Sequence, residues 1–206
     1  MKSFILLFAC VASGIAFAQQ DPEALKTLNA VSEKYKNMTF TAEFDYSIKN
    51  KTAGVDESFQ GNIAVKGRKY RMKTSELEVL NDGTDLYNYI AEANEVNIAT
   101  YYPEDEEIGI HNIFDIYQDG YKYALTGEEA DGSQVIDLEP IERKTFFKIR
   151  MVVNKSVQVN QFIIFDRNGN VYTYSIKNFR EKADIGDDFF VFNAADYDGI
   201  DIIDFR

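Results

Sequence analysis

The chain has 206 residues, 45% of them apolar, with 22 basic residues against 34 acidic ones and a formal net charge of −12. So acidic a surface repels phosphate backbones and anionic bilayers, which argues against nucleic acid as a partner and against stable membrane insertion or adsorption. One cysteine and one histidine leave no disulfide framework, no thiolate metal site and no nucleophile–base set to assemble.

The first element is a leader. Met1-Lys2 gives a positive start, Phe4 to Ala12 is almost wholly apolar, and Ala16-Phe17-Ala18 fits a small-x-small cleavage site. This pattern predicts a secretory signal peptide over residues 1–18, because the apolar run falls short of the roughly twenty residues a membrane span needs. Leu7-Phe8-Ala9-Cys10 faintly resembles a lipoprotein cleavage box, but the apolar stretch before Cys10 is too short for an export core. Cleavage after Ala18 is therefore expected. It removes Cys10 and Lys2 and leaves 21 basic residues against 34 acidic ones, a net charge of −13. Residues 19–206 are enough for one domain with a sizeable core, and no repeat or linker divides them.

Asp21-Pro22 then opens a helix. Asp suits the N-cap, Pro the first helical position, and Glu23 the positive end of the helix dipole. Ala24, Leu25, Leu28, Val31 and Tyr35 recur at three- and four-residue steps, so the helix is amphipathic and ends near Asn37. Alternation takes over from Thr39. Phe40, Ala42, Phe44, Tyr46 and Ile48 share one side of a strand, and after a turn at Gly54 so do Phe59, Gly61, Ile63 and Val65. Tyr70 and Met72, Leu77 and Val79, Leu86 to Ile90, and Val96 with Ile98 follow, separated by turns such as Asn81-Asp82-Gly83-Thr84. The second half repeats the pattern with Tyr121, Tyr123 and Leu125, then Val135 to Leu138. Next come Phe147, Ile149, Met151 and Val153, then Phe162 to Phe165, Val171 to Phe179, and finally Phe190 with Phe192. Ten or eleven strands with short turns and no βαβ spacing predict an antiparallel meander curled into a barrel or partial barrel. A sheet that long cannot stay flat, because strand twist accumulates.

One stretch interrupts the strands. Pro103 to Glu107 is an acidic loop, and Ile110, Ile113, Phe114 and Tyr117 then fall on one helical stripe. A short amphipathic helix there would be either a lid over the open side of the sheet or permanent core.

Chemistry is sparse. His111 has no Ser or Cys partner in the sequence, and Asp166 to Gly169 and Asp196 to Gly199 lack the distal Glu of a twelve-residue calcium loop. No phosphate-cradling loop or dinucleotide fingerprint occurs, so no cofactor and no metal are expected. The aromatic stripe remains, and two helices cannot cover ten strands. A residual cavity is expected.

The order of the motifs is specific. Gln60-Gly61-Asn62-Ile63-Ala64-Val65-Lys66 follows the Asp-Pro helix, and Asn81-Asp82-Gly83-Thr84-Asp85-Leu86-Tyr87-Asn88-Tyr89 comes after it. Asp166-Arg167-Asn168-Gly169-Asn170 with Tyr172 and Tyr174, then Phe189 to Phe192, stand near the end. Over essentially the whole chain after the leader this resembles the periplasmic outer-membrane lipoprotein carriers, the LolA family. The resemblance implies a mainly β (α+β) fold: an incomplete antiparallel β-barrel with an N-terminal helix and a short lid helix enclosing a hydrophobic cavity. It implies a monomeric, non-enzymatic carrier in the periplasm of a Gram-negative bacterium. Such a carrier takes acylated lipoproteins from an ATP-driven inner-membrane release complex and hands them to an outer-membrane acceptor. The acyl-chain cavity would then be lined by Phe44, Tyr46, Ile63, Val65, Tyr70, Met72, Tyr87, Tyr89, Phe147, Ile149, Met151, Tyr172 and Tyr174. Ile110, Ile113, Phe114 and Tyr117 would form the lid. Many relatives carry Lys-Arg-Pro after the strand before the Asp-Gly turn, with the Arg holding the lid. Lys66-Gly67-Arg68-Lys69-Tyr70 stands here instead, making Arg68 the candidate latch, displaced by one residue. Two other readings compete. One is a periplasmic lipid- or lipoprotein-sensing module that regulates a protein partner. The other is a lipid- or glycan-acting enzyme, which two converging carboxylates, or His111 beside a carboxylate in a cleft, would favour.

Overall fold

The computed structural model describes residues 20–206, so the leader, Cys10 and the cleavage point lie outside the described residues. Helix α1 spans Pro22–Tyr35. Asp21 Oδ1 accepts hydrogen bonds from the N–H groups of Glu23 (2.9 Å) and Ala24 (3.4 Å), which satisfies two donors the helix cannot. Its other oxygen accepts from Leu125 N at 3.1 Å and ties the helix start to the sheet. The Leu125 bond leads the interactions that hold this carboxyl below its ordinary pKa. Ala24, Leu28, Val31 and Tyr35 form a single buried stripe. Asn37, at φ 58°, turns the chain out of the helix.

The first meander comprises β1 (Thr39–Asn50), β2 (Val55–Lys66), β3 (Lys69–Lys73), β4 (Leu77–Asn81), β5 (Asp85–Ile90) and β6 (Glu95–Thr100). The second comprises β7 (Tyr121–Glu128), β8 (Gln134–Pro140), β9 (Phe146–Val153), β10 (Val159–Asp166) and β11 (Val171–Glu181). They join along β1 and β11, where Phe44 faces Ile176 and Tyr46 faces Tyr174. A short β12 (Asp201–Asp204) lies parallel to β6, so the order is β12-β6-β5-β4-β3-β2-β1-β11-β10-β9-β8-β7. The two ends do not pair among the described residues. The sheet is an incomplete barrel, with half of the chain in strands.

Three details differ from the expectation. The sheet has twelve strands, and its last one is not at Phe190 and Phe192. Those residues belong to a 3₁₀ turn, Asp187–Phe190, and to the segment after it. The strand at the C-terminus is β12, whose four residues are all exposed and so carry no alternation. The segment between β6 and β7 is not a helix. It consists of 3₁₀ turns at Pro103–Asp105 and Ile116–Gln118 with further turns between. Asn112 explains part of this: its side chain accepts from Gly109 N at 2.9 Å, offering the backbone a partner other than a helical carbonyl.

Register assigns the two faces. The inner face carries Phe40, Ala42 and Phe44 of β1, Ile63 and Val65 of β2, and Tyr70 and Met72 of β3. α1 lies over the second meander on this side. Tyr35 Oη accepts from Val159 N at 3.1 Å, and Thr27 donates to Gln134 Oε1. Because β6 and β7 stand near opposite ends of the sheet, residues 101–120 have to cross the inner face to connect them. The outer face of β3–β6 is covered by the C-terminal segment. Phe190 is fully buried there, Phe192 stacks on Tyr87 (5.0 Å), and Tyr197 packs on Tyr89 (4.6 Å).

Candidate functional site

Between the inner face and the crossing segment lies a cavity of about 410 Å³. Phe40, Ala42, Phe44 and Ile63 form its floor on the central strands. Tyr70, Met72 and Val79 form one wall, and Phe162, Ile164, Tyr174, Ile176 and Phe179 the other. Tyr35 and Val159 close one end, and Ile108, Gly109, Ile110, Ile113 and Phe114 form the roof.

Local sequence sets this shape. Gly61 stands opposite Phe44 in the β1–β2 ladder. A Cβ at Gly61 would lie 2.5 Å from Lys73 O and 2.6 Å from Phe44 Cζ, so glycine is what lets the Phe44 ring lie across its neighbour strand. On β11 the register slips opposite the Thr41–Glu43 step, with Asn178 at φ 47°. This bulge turns Phe179 rather than Asn178 inward. Phe114 is stacked on Tyr35 (centroids 4.0 Å apart, planes 7° apart) and meets Phe162 edge-on at 5.8 Å.

The roof is tethered by polar contacts rather than by strand pairing. Tyr117 Oη donates to Asn29 Oδ1 of α1 at 2.8 Å. Glu107 accepts from the hydroxyl and the N–H of Thr145, and these bonds hold its carboxyl below the usual carboxylate range. At the other end of the roof, His111 Nδ1 lies 3.1 Å from Tyr101 Oη and 3.4 Å from Glu106 Oε2.

Burial raises the tyrosine hydroxyls around the site. Tyr35 and Tyr174 are pushed up to about 12 chiefly by desolvation, and Tyr70 reaches about 12 by burial and then by the charge of Glu106. Tyr101 is raised by burial first and by Glu106 second. All stay neutral at physiological pH, so the lining offers aromatic surface, neutral hydroxyls and one carboxylate, Glu106.

Of the residues expected from alternation, Phe44, Ile63, Tyr70, Met72 and Tyr174 line the cavity, under Ile110, Ile113 and Phe114. Val65, Ile149 and Met151 are buried in the surrounding core instead, where Ile149 and Met151 have no exposed surface. Tyr46 and Tyr172 stack on one another at 6.5 Å outside the lining, with Tyr172 also donating to Asp166. Tyr117 is buried against α1. Tyr87 and Tyr89 lie on the outer face beneath the C-terminal segment. Phe147 is 44% exposed and packs on Phe165, because a bulge opposite Asp166 sends Phe146 inward in its place. Arg68 is exposed in the β2–β3 turn and, among the described residues, makes no salt bridge to the roof. Tyr35, Phe40, Val79, Phe162, Ile164, Ile176 and Phe179 join the lining without having been singled out. Tyr35 was already visible as the last residue of the helix stripe, and Phe40 and Phe162 as members of alternating runs.

His111 does meet a carboxylate at the cavity mouth, but its hydrogen-bonding neighbour there is a tyrosine, and no serine, threonine or thiol is bonded to it among the described residues. Nor does any group of three or more His, Cys, Asp or Glu side chains among them sit where it could hold a metal ion. No described helix is long and apolar enough to cross a membrane.

Comparison with solved structures gives the fold. A conserved protein from Thermus thermophilus superposes with a TM-score of 0.57 at 10% identity, over 88% of this chain and 99% of that one. A LolA superfamily protein from Nitrosomonas europaea matches with a TM-score of 0.47 at 14% identity, over 82% and 97%. The Mycobacterium tuberculosis lipoprotein LppX matches with a TM-score of 0.47 at 10% identity, over 81% and 100%. No curated protein matches the sequence. The family described as outer membrane lipoprotein carrier protein LolA matches residues 36–193, a span that begins just after α1, includes every cavity-lining residue except Tyr35 and ends within the C-terminal segment. The chain belongs to the LolA family, whose members are carrier or binding proteins rather than enzymes and act outside the cytoplasm.

Proposed function

We propose that the protein is a periplasmic carrier that shields the acyl chains of lipoproteins on their way from the inner to the outer membrane. Residues 19–206 act as its single lipid-binding domain. The observation that carries this reading is an apolar cavity roofed by a segment held by a few polar contacts and one aromatic stack. The two acyl chains of a diacylglyceryl anchor, about fifteen methylenes each, represent roughly 24 kcal/mol of transfer free energy at about 0.8 kcal/mol per methylene. That exceeds the roughly 20 kcal/mol at which noncovalent affinity saturates, so release into water is not a route between membranes and an escort must replace water throughout.

About 410 Å³ lies open beneath Ile110, Ile113 and Phe114. The roof of Ile110, Ile113 and Phe114 would rise as cargo enters and settle again when it leaves. Phe44, Ile63, Tyr70, Met72 and Tyr174 would meet the chains first. Arg68, in the β2–β3 turn, would serve as the latch, its charge already felt by Tyr101 at the start of the crossing segment. Energy for loading comes from the inner-membrane donor, since no nucleotide-binding motif is present, and an outer-membrane acceptor completes the transfer.

The test is displacement of a fluorescent fatty-acyl probe from delipidated protein, together with mass spectrometry of lipid that co-purifies with it. Displacement by palmitate at micromolar concentration is expected. A folded, delipidated sample that binds no probe and carries no lipid from the cell would refute the carrier reading.

A further inference from the structure

The cavity is apolar almost throughout, yet its lining includes Glu106. No other charged side chain among the described residues lines it. A carboxylate at the edge of an oily space is costly unless a cation answers it. No lysine or arginine lies within salt-bridge distance of Glu106 among the described residues. Its one neighbour of that kind is His111 Nδ1 at 3.4 Å. The side chain is 35% exposed, so it can be reached from the mouth.

The surroundings are shaped around this carboxylate. Gly109 lies against it, and a Cβ at that position would collide with Glu106 Oε2 and meet His111 Nδ1 at 2.7 Å. Tyr101 Oη stands 3.5 Å from Glu106 Oε2, and Tyr70 lines the same end of the cavity. The charge is felt by both phenols, whose ionisation it further suppresses. A neutral phenol keeps its proton to donate and still has oxygen lone pairs that can accept a hydrogen bond.

We propose that this end of the cavity is a subsite for a primary ammonium group borne on the lipid, with Glu106 as counter-ion and the hydroxyls of Tyr101 and Tyr70 as flanking acceptors. The inference rests on the carrier reading of the same cavity and narrows its ligand. A lipid whose head is anionic meets a like charge here, and one whose amine is acylated brings no cation to the carboxylate, which keeps only the bond from Tyr101. Two sources supply the required chemistry. One is the free α-ammonium of a protein N-terminus whose cysteine carries a diacylglyceryl group; the other is the headgroup of an ethanolamine phospholipid.

Displacement of an acyl probe from the full chain separates them. Two ligand pairs are compared: a dipalmitoylglyceryl-cysteinyl peptide with a free N-terminus against its N-acetylated form, and dioleoyl phosphatidylethanolamine against its N-acetylated form. The free amine is expected to bind about tenfold more tightly within at least one pair, the low end for a hydrogen bond to a charged group because Glu106 is partly solvated. Glu106→Gln is expected to abolish that preference. Preference in the peptide pair alone identifies the protein N-terminus as source, and preference in the phospholipid pair alone identifies the headgroup. Equal binding within both pairs, or a preference that survives Glu106→Gln, overturns the subsite and leaves the carrier reading intact. Failure of all four ligands to displace the probe overturns the carrier reading and the subsite with it. The wild-type comparison needs no variant, so it decides even if Glu106→Gln does not fold.

Discussion

If Phe114 holds the roof down, shortening it should open the cavity. Its ring stacks on Tyr35 at 4.0 Å, meets Phe162 edge-on at 5.8 Å and Phe40 edge-on at 6.5 Å. Aromatic pairs contribute about 0.5–1.5 kcal/mol each beyond the area they bury, and three pairs sharing one ring are not additive. About 2 kcal/mol in favour of the lowered roof is a reasonable sum. Phe114→Ala should then raise the ratio of open to closed roof by about thirtyfold. The assay is stopped-flow uptake of a fluorescent fatty acid, with hydrogen exchange of residues 108–118 followed in parallel. Uptake should quicken by tenfold or more, and exchange should accelerate in that segment alone. The ladders of β1–β11 do not depend on this ring, so urea unfolding should lose no more than about 2 kcal/mol. Unchanged uptake together with unchanged exchange would show that the roof is permanent core, and the loading mechanism would have to be abandoned.

Other perturbations separate stability from binding. Asp137 accepts from Arg150 Nε (2.6 Å) and Nη2 (2.8 Å), with Lys148 3.4 Å away. Burial alone would raise its carboxyl, but the bonds from Arg150 and the charge of Lys148 outweigh burial and hold it low. A lowered carboxyl stabilises the fold above its unfolded pKa of about 3.9, and that stability is lost as pH falls through the folded value. The melting temperature should therefore fall more steeply on acidification from about pH 5 in wild type than in Asp137→Asn; parallel curves would contradict the assignment. Phe190→Ala, which empties a fully buried site on the outer face, should cost about 3–5 kcal/mol in urea unfolding while the folded fraction keeps its acyl-probe affinity. A loss below about 1 kcal/mol would mean that the C-terminal segment does not seal that face.

Strands with one wet side could be read directly, because burial against the core imposes a period of two; the first half of β1 is an example. That period says where a face exists and not which face is inside. Tyr87 and Tyr89 illustrate the difficulty: both sides of β5 are covered, one by the inner core and the other by Phe192 and Tyr197 from more than a hundred residues downstream. Bulges defeat parity locally, which is why Phe146 and Phe179 point inward and Phe147 does not. Asn178, in a left-handed conformation that asparagine tolerates, was the available hint for the second of these. Ile149 and Met151 lie on the correct side of the sheet, but periodicity cannot tell a wall of the cavity from the solid core beside it. The roof residues were legible as an apolar stripe, while its 3₁₀ turns were not, because Asn112 and Gly109 redirect the backbone hydrogen bonds.

The connection from β6 to β7 works like the handle of a basket: each end is fixed to a strand near a different rim of the sheet. A flap hinged at one side could swing clear of the opening, but a handle can only bow upward or be drawn flat as the rims separate. Under the proposed carrier role, cargo entering beneath the handle would bow it upward, and its departure would let the handle settle back. Residues 101–120, anchored at both ends, would then set how far such an opening can travel.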